Sequence, residues 1–340
     1  MDNLFSSLPG LLLPWYEQNK RDLPWRRDRE PYHVWLSEIM LQQTRVEAVK
    51  GYYARFLDAL PTIEALADAP QEQLNKLWEG LGYYSRVRNL QKAARQILEL
   101  HGGVFPASYA AIRALAGIGD YTAGAVGSIC FELPTPAVDG NVLRVCSRLT
   151  ADSSPIDRPQ TKKALTAGLA QVYPAGRCGD FTQALMELGA TVCVPNGAPQ
   201  CRCCPLSGIC LAHRDGMETE LPVKSAKKPR RMEEMTVFLL HRDGAYALGK
   251  RPERGLLAGL WEFPHVPGKL ELSEALAQLE VWGAIPEEVE RSVERVHIFT
   301  HVQWEMRGWY IRCRTLPEIF AAGSTAEYAL PTAFRQFLEP

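Results

Sequence analysis

The chain has 340 residues, which is enough for two or three domains that each bury a hydrophobic core. Its apolar fraction of 46% and charged fraction of 23% are those of a globular protein, without an apolar run that predicts a membrane span. A net charge of −1 excludes a strongly basic nucleic-acid binder, so any affinity for DNA must come from local patches and backbone donors. The amino terminus lacks the pattern of a signal peptide, and we expect a cytoplasmic protein.

The first part of the chain, residues 1–215, reads as nearly all helix. Apolar residues recur there at spacings of three and four, and short Gly/Pro segments separate the periodic stretches. The stretches are 32–53, 63–77, 87–100, 109–115, 142–149, 163–172 and 181–188. This pattern predicts an all-α domain.

The character of the sequence changes near residue 216. Residues 216–232 are polar, contain Pro222 and Pro229, and carry a basic run over 224–231, which predicts an interdomain linker whose charges are either solvated or contact phosphate.

Residues 233–340 mix extended and helical patterns. We predict strands at 235–240 and 245–248 joined at Asp243-Gly244, a helix at 272–281, and strands at 296–300 and 302–314. The C-terminal domain is therefore expected to be α+β.

Five of the nine cysteines lie between Cys193 and Cys210. Thiols stay reduced in the cytoplasm, so a tight cluster of them points to a metal before disulfides or unliganded thiols. A candidate ligand set is Cys193, Cys201, Cys204 and Cys210, which suits either zinc or an iron–sulfur cluster.

A glycine-rich segment over 115–126 joins two helical stretches. Gly117 and Gly119 lack a Cβ and let the backbone approach a ligand closely, while the amides that open the following helix favour an anion. The segment is either an ordinary turn or a phosphate-binding hairpin, and its position between helices favours phosphate binding.

Two carboxyl groups are candidates for acid–base chemistry. Asp139 stands just before a helix, where an N-cap is its ordinary role, and helix amides would keep it ionised. Glu38 lies in an otherwise apolar helical stretch, where burial would raise its pKa toward that of a general acid; an exposed position on an amphipathic helix is the alternative.

Several of these segments together resemble the MutY-type adenine DNA glycosylases of the endonuclease III, or helix-hairpin-helix, superfamily. Residues 37–44, Ser-Glu-Ile-Met-Leu-Gln-Gln-Thr, are close to that family's Ser-Glu-Val-Met-Leu-Gln-Gln-Thr. The cysteines resemble the superfamily's Cys-x6-Cys-x2-Cys-x5-Cys, with one extra residue in the first gap. Because of that extra residue, Cys203 is an alternative to Cys201 as the second ligand, but Cys201 is preferred because it preserves the two downstream spacings of the pattern.

The resemblance implies the architecture and the cofactor. Residues 1–215 would form a six-helix barrel plus a module that holds a [4Fe–4S] cluster in a structural role. Residues 216–232 would be the linker, and 233–340 a Nudix-like domain. After Pro264 the chain lacks the acidic helix with which Nudix hydrolases hold magnesium, so we expect this domain to bind without hydrolysing.

The resemblance also assigns catalytic roles. Glu38 would protonate N7 of adenine and help to activate water. Asp139, oriented by Asn141, would stabilise the positive charge that develops on the sugar. Tyr121 stands where members that also cut the backbone carry a lysine for imine formation, which implies base removal without an efficient lyase step.

The remaining roles concern recognition of the substrate. The residues implied for contact with the extruded base are Trp25, Arg26, Leu41 and Glu187, and those implied for insertion into the duplex are Gln43 and Tyr83. Gly117 and Gly119 are implied for the phosphate, and Phe299, Thr300 and His301 for the lesion. The last three stand in place of the family's Phe-Ser-His loop, which reads 8-oxoguanine.

The function implied is therefore that of a monomeric, nucleoid-associated enzyme without a membrane partner. It would bind double-stranded DNA and remove adenine paired with 8-oxoguanine or guanine. Two alternatives are an endonuclease III-like pyrimidine glycosylase and AP lyase, against which Glu38 and Tyr121 argue, and a non-catalytic iron–sulfur DNA-binding protein.

Overall fold

The structure, a computed structural model, describes residues 2–226 and 229–339. Lys227 and Lys228 of the predicted linker lie outside the described residues. The described chain divides into two compact units. The first comprises the chain up to Asp68 together with Asn89–Ala226, and the second comprises Ala69–Arg88 together with the C-terminal part from Pro229 onwards.

The chain up to residue 226 is helical, as the apolar periodicity predicted. Its helices, in chain order, are Asp2–Phe5, Leu8–Asn19, Pro31–Leu41, Val46–Ala59, Ile63–Asp68, Gln71–Leu77, Ser85–His101, Tyr109–Ala114, Asp120–Phe131, Gly140–Leu149, Pro159–Ala170, Cys178–Thr191 and Leu211–Asp215. Short 3₁₀ turns lie at Pro24–Arg26 and Cys201–Cys203.

Two of the predicted helical stretches are each two helices. Stretch 32–53 is interrupted after Leu41, where Gln43 adopts a left-handed backbone with φ of 59°. Stretch 63–77 is interrupted at Pro70, because a proline cannot donate its backbone N–H and disfavours helical geometry in the preceding residue. The periodicity alone predicted both stretches as continuous, which is wrong.

The core of the first unit forms where apolar helix faces meet. Buried residues from the helices Leu8–Asn19, Gly140–Leu149 and Cys178–Thr191 pack together, among them Leu12 and Phe181. Asp139 caps the helix Gly140–Leu149 and accepts a hydrogen bond at Oδ1 from the backbone N–H of Val142 over 2.8 Å. Core packing therefore fixes the helix Gly140–Leu149, and with it the position of Asp139 at the start of that helix.

The C-terminal part is a mixed sheet with two helices, which confirms the α+β prediction. Its strands are β1 (Arg231–Arg242), β2 (Ala245–Lys250), β3 (Trp261–Glu262), β4 (His265–Pro267), β5 (Ile285–Ile298), β6 (Val302–Thr315) and β7 (Ala321–Gly323), and its helices are Leu272–Trp282 and Thr332–Arg335. The order is β3-β2-β1-β6-β5, with β4 paired to β1 and β7 to β2. Strands β1 and β6 run parallel, and the other pairs are antiparallel.

Strand β1 is buried on both faces of the sheet. Val237 and Leu239 pack on the side of Phe334, while Phe238 and Leu240 pack on the side of Leu279. Successive side chains of a strand point to opposite faces, so the continuous apolar run 237–240 supplies two cores.

Strand β5 begins eleven residues before the predicted start at 296. It lies at the edge of the sheet, and its exposed residues include the charged pair Glu287 and Glu288. An exposed edge strand needs few apolar residues, so its period-two signal is weak.

Among the described residues, none of the helices combines the length and apolarity that a membrane crossing requires.

Candidate active site

One cavity of about 730 Å³ opens within the first unit. It is lined by most of the residues that the sequence assigned to catalysis, to the base and to the glycine hairpin. These are Trp25, Arg26, Glu38, Leu41, Gln43, Gly117, Gly119, Tyr121, Asp139, Asn141 and Glu187. The structure therefore brings residues that are up to 162 positions apart in the sequence to the wall of a single cavity.

Glu38 is buried, with only 6% of its surface exposed. The hydroxyl of Tyr121 donates a hydrogen bond to Oε2 of Glu38. The pKa of Glu38 is raised to about 7, chiefly by burial and to a lesser extent by the nearby Asp139, against the opposing effects of the Tyr121 hydrogen bond and the charge of Arg26. A carboxyl with such a pKa can hold a proton near neutral pH and donate it.

Asp139 faces the same cavity with its oxygens held by neighbouring donors. Oδ1 accepts from the N–H of Val142, and Oδ2 accepts from Nδ2 of Asn141 over 2.8 Å. Burial raises the pKa of Asp139 above its ordinary value, which opposes the expectation of a freely ionised carboxylate, while both hydrogen bonds favour the ionised form.

Arg144 links this carboxyl to the cysteine-rich segment. Its Nη2 donates to Oδ1 of Asn141 over 2.8 Å and to the carbonyl of Gly189 over 2.7 Å. Its Nε donates to the carbonyl of Cys193 over 2.7 Å. A chain of hydrogen bonds therefore runs from Asp139 through Asn141 and Arg144 to the backbone of the first predicted metal ligand.

Glu187 is fully buried and ion-paired at the cavity wall. Arg21 donates from Nε and Nη2 to its two oxygens over 2.6 and 2.8 Å, and Arg26 donates from Nη2 over 2.8 Å. Burial alone would raise the pKa of Glu187, but the two arginines outweigh it and bring that pKa to about 2. Glu187 is therefore an ionised acceptor whose position two guanidinium groups fix.

The glycine hairpin leads directly into the helix that carries Tyr121. Gly117 has a φ of 73°, and a Cβ there would lie 2.5 Å from the Cβ of Asn89, so this position requires glycine. Gly119 precedes the helix Asp120–Phe131, and a Cβ at Gly119 would meet no atom within 4 Å. The space beside Gly119 is thus open at the start of a long helix.

The other predicted recognition residues lie in the second unit. Tyr83 is 49% exposed with a left-handed backbone, φ 48°, and its hydroxyl is 2.9 Å from Oγ1 of Thr300. Phe299, Thr300 and His301 form the turn between β5 and β6. The Phe299 ring packs edge-on against Trp304, with 4.8 Å between ring centroids. The structure thus places the predicted wedge Tyr83 beside the predicted lesion loop.

Four thiols surround a second cavity in the first unit. Cys193, Cys201, Cys204 and Cys210 all line it, together with apolar side chains such as Leu149 and Leu206. Cys203 does not line it: its thiol is exposed and donates to the carbonyl of Gln200. This geometry favours Cys201 over Cys203 as the second ligand, and four converging sulfur donors fit an iron–sulfur cluster or zinc.

Sequence reasoning missed several groups that the structure brings to these cavities. Arg148 donates from Nη1 to Sγ of Cys193 over 3.2 Å, and His213 and Glu218 lie close to Cys201. Arg21 holds Glu187, and the hydroxyl of Tyr121 lies 3.8 Å from the sulfur of Met186. The pairings of Arg148 with Cys193, of Arg21 with Glu187 and of Tyr121 with Met186 carry no local signal, because these partners are distant along the chain.

Comparison with known proteins first defines the class. Residues 36–171 match the family described as HhH-GPD superfamily base excision DNA repair protein, and residues 236–340 match the NUDIX domain. The chain resembles the solved structure of a thermostable thymine-DNA glycosylase with a TM-score of 0.58 and 29% identity, over 63% of this chain and 98% of that one. It also shares its fold with endonuclease III trapped on DNA as a covalent intermediate, with a TM-score of 0.54, 22% identity, and 64% and 99% of the two chains covered.

Whole-sequence relatives give the family. The adenine DNA glycosylase of Homo sapiens is 38% identical over 86% of this chain and 65% of its own length. That of Rattus norvegicus is 38% identical over 86% and 68%, and that of Buchnera aphidicola (subsp. Acyrthosiphon pisum) is 32% identical over 91% and 88%. The chain spans about two thirds of the length of the two mammalian relatives. It belongs to the adenine DNA glycosylase family, whose members are DNA N-glycosylases, and this confirms the family resemblance and the enzyme class predicted from its motifs.

Proposed function

We propose that this protein removes adenine paired with 8-oxoguanine, or with guanine, by hydrolysing the N-glycosidic bond. The observation that carries the proposal is that Glu38, with a pKa raised to about 7, and Asp139 line one cavity of about 730 Å³. The names of the relatives support adenine as the base.

Glu38 acts as the general acid. Adenine is a poor anionic leaving group, and protonation at N7 lets the bond between C1′ and N9 break with its electron pair retained by the base. At neutral pH a pKa of about 7 leaves a substantial fraction of Glu38 protonated. After the base has left, the ionised Glu38 can accept a proton from the attacking water.

Asp139 stabilises the sugar cation. Bond breaking develops positive charge on the sugar, and an ionised carboxylate in a buried site interacts with that charge more strongly than it would in water. The hydrogen bonds from Val142 and Asn141 fix its direction before the charge develops.

Tyr121 makes the enzyme monofunctional. A phenol cannot form an imine with the sugar, and burial together with the charge of Glu38 raises the pKa of Tyr121 well above its ordinary value, so it stays a neutral donor. Strand cleavage after base removal therefore requires alkali or another enzyme.

The four cavity-lining thiols hold a [4Fe–4S] cluster. Cys193, Cys201, Cys204 and Cys210 all line one cavity, and the likeness to endonuclease III in fold supports the cluster over zinc. Such a cluster would supply a rigid, charged brace for the loop 193–210, with no part in base removal. Iron and sulfide analysis with an absorption spectrum tests the assignment, and stoichiometric zinc without sulfide contradicts it.

The turn Phe299-Thr300-His301 reads the opposite base. Thr300 offers a hydroxyl that both donates and accepts, and Tyr83 beside it is exposed enough to enter a base stack. Duplex DNA with the mispair is thus the proposed partner, with extrusion of adenine into the cavity.

Duplex oligonucleotides with a labelled adenine test the function. We expect adenine release opposite 8-oxoguanine and guanine, with strand scission only after alkali. Glu38→Gln should abolish release while duplex binding persists, because only the proton donor is lost. Full turnover by Glu38→Gln, or direct scission at an oxidised pyrimidine by the wild-type protein, contradicts the proposal.

A further inference from the structure

The segment Ala69–Arg88, which carries Tyr83, belongs to the same compact unit as the C-terminal sheet. Three of its glycine and tyrosine positions, Gly80, Gly82 and Tyr83, have positive φ, so the turn before Tyr83 is conformationally demanding. Arg86 stabilises this turn from inside: it is buried and its Nη2 donates to the carbonyls of Leu81 and Gly82 over 2.9 and 3.0 Å.

The shape of the turn does not by itself set the distance from Tyr83 to Thr300. That distance also depends on the hydrogen bonds between the segment and the C-terminal sheet, and two of these bonds involve backbone atoms of the C-terminal part. The carboxylate Oε1 of Glu79 accepts from the N–H of Leu330 over 3.0 Å, and Nη1 of Arg88 donates to the carbonyl of Ala258 over 2.9 Å.

Both bonds have one charged partner, and Glu79 is the partner that precedes the turn before Tyr83. It is 12% exposed, and its Oε2 also accepts from Lys76 over 2.8 Å and lies 3.8 Å from Nη1 of Arg335. A hydrogen bond from a backbone amide to a charged acceptor is stronger than one between neutral groups, and the low exposure reduces competition from water. By contrast, the Glu72–Lys250 pair of the same segment is largely exposed and contributes little.

The sequence position of Glu79 makes the link to Tyr83 direct. Glu79 lies four positions before Tyr83, and the interval between them is the turn whose carbonyls Arg86 binds. The hydrogen bond of Glu79 to the Leu330 amide holds one end of this turn, and it therefore helps to set the position of the Tyr83 hydroxyl relative to Thr300. Leu330 itself is buried in the sheet core with Phe334, so the amide that Glu79 binds is a firm anchor.

We propose that Glu79 is a positioning residue for lesion specificity, which sets Tyr83 against Thr300 by binding the Leu330 amide. The inference rests on the proposed function, since it assigns to Glu79 a share of the discrimination between 8-oxoguanine and guanine. Glu79 touches neither base; it acts through Tyr83.

The test measures single-turnover adenine release opposite 8-oxoguanine and opposite guanine with the full-length protein. Glu79→Ala removes the acceptor and should lower the ratio of the two rates about tenfold, through the 8-oxoguanine rate alone. Glu79→Gln keeps an acceptor oxygen for Leu330 and should retain the wild-type ratio within about twofold. Glu280→Ala, a substitution of an exposed glutamate on the helix Leu272–Trp282, is the matched control and should change neither rate.

Hydrogen exchange gives a direct structural readout of the same variants. The Leu330 amide should exchange faster in Glu79→Ala than in the wild type, and at the wild-type rate in Glu79→Gln. In a double-mutant cycle, Thr300→Val removes the hydroxyl that contacts Tyr83. Adding Glu79→Ala to Thr300→Val should lower the ratio of the two rates little further, because both substitutions act through the contact between Tyr83 and Thr300.

Three outcomes overturn the inference while the proposed function stands: an unchanged ratio in Glu79→Ala, equal loss of both rates, or strictly additive losses with Thr300→Val. If Glu79→Ala does not fold, Glu79→Met takes its place, since methionine keeps the side-chain length without the carboxylate acceptor; a tenfold lower ratio there supports the inference and an unchanged ratio overturns it. A wild-type protein that releases adenine equally opposite both bases, or not at all, instead contradicts the proposed function and with it the inference.

Discussion

Arg144 fixes the orientation of the Asn141 side chain. The guanidinium has only donors, so the Asn141 atom that faces it over 2.8 Å must be the carbonyl oxygen, and the amide nitrogen must then face Asp139. The same Arg144 holds the Cys193 carbonyl, so the direction of the Asp139 hydrogen bond depends on the cysteine-rich loop.

Replacement of Arg144 by glutamine should therefore slow base release. Asn141 would lose the donor that fixes its orientation, and we expect at least a tenfold lower single-turnover rate with duplex affinity nearly unchanged. Arg312→Gln, a change at an exposed arginine of β6, is the control. A rate equal to that of the wild type in Arg144→Gln would show that Asn141 orients Asp139 without help.

The pH dependence of base release should report the proton on Glu38. Release requires the protonated acid, so the rate should fall as pH rises above about 7. The hydrogen bond from Tyr121 lowers the pKa of Glu38, so Tyr121→Phe should move this alkaline limb upward, by about one pH unit. Rate–pH profiles of the two proteins measure the shift, and a downward shift would be incompatible with the role of Tyr121 as donor.

Glu38 should also make stability depend on pH. Its pKa rises from an ordinary 4.5 in the unfolded chain to about 7 in the folded protein. As pH rises between these values, Glu38 ionises in the unfolded state but stays protonated in the folded state, so the free energy of unfolding falls. The loss is complete above about pH 7 and amounts to about 3 kcal/mol. Glu38→Gln lacks this penalty and should gain stability relative to the wild type as pH rises from 4 to 8.

Denaturant unfolding at several pH values measures the difference, with Glu99→Gln, a change at an exposed glutamate, as the control. Parallel stability curves for the wild type and Glu38→Gln would mean that Glu38 is not buried in solution.

Removal of Arg21 should destabilise the fold because it leaves buried Glu187 with Arg26 alone. We expect Arg21→Ala to lower the free energy of unfolding by about 2 kcal/mol, less than for a fully buried pair because Arg21 is 37% exposed and Arg26 still binds Glu187. Arg27→Ala breaks an ion pair in which both side chains are largely exposed and should cost less than about 1 kcal/mol. Equal losses in the two variants would argue against the burial of Glu187.

Two cysteine substitutions should separate the metal ligands. Cys203→Ser should retain the iron content and visible absorption of the wild type, because the Cys203 thiol points to Gln200 and away from the cavity. Cys201→Ser should lower both, because it removes a cavity-lining sulfur. Purification of the two variants with metal and sulfide analysis decides, and the reverse pattern would assign Cys203 as the ligand.

The sequence by itself determined the class of fold and most of the residues around the cavity. Apolar spacing gave a helical first part and a mixed C-terminal part because periodicity is a local property of the chain. Motifs such as residues 37–44, 115–126 and 138–142 are contiguous, so Glu38, Tyr121 and Asp139 could be selected before any contact was known.

Only the tertiary structure decided which distant groups meet. The Arg21–Glu187 pair and the bonds of Arg144 to Asn141 and Cys193 join different elements, and no local pattern encodes such pairings. Tertiary packing also supports the preference for Cys201 over Cys203 that the cysteine spacing had given, because it shows the direction of each thiol, which the spacing cannot show. The tertiary structure also shows that Ala69–Arg88 belongs to the same compact unit as the C-terminal sheet. The hydrogen bonds that join this segment to the sheet link residues more than 150 positions apart.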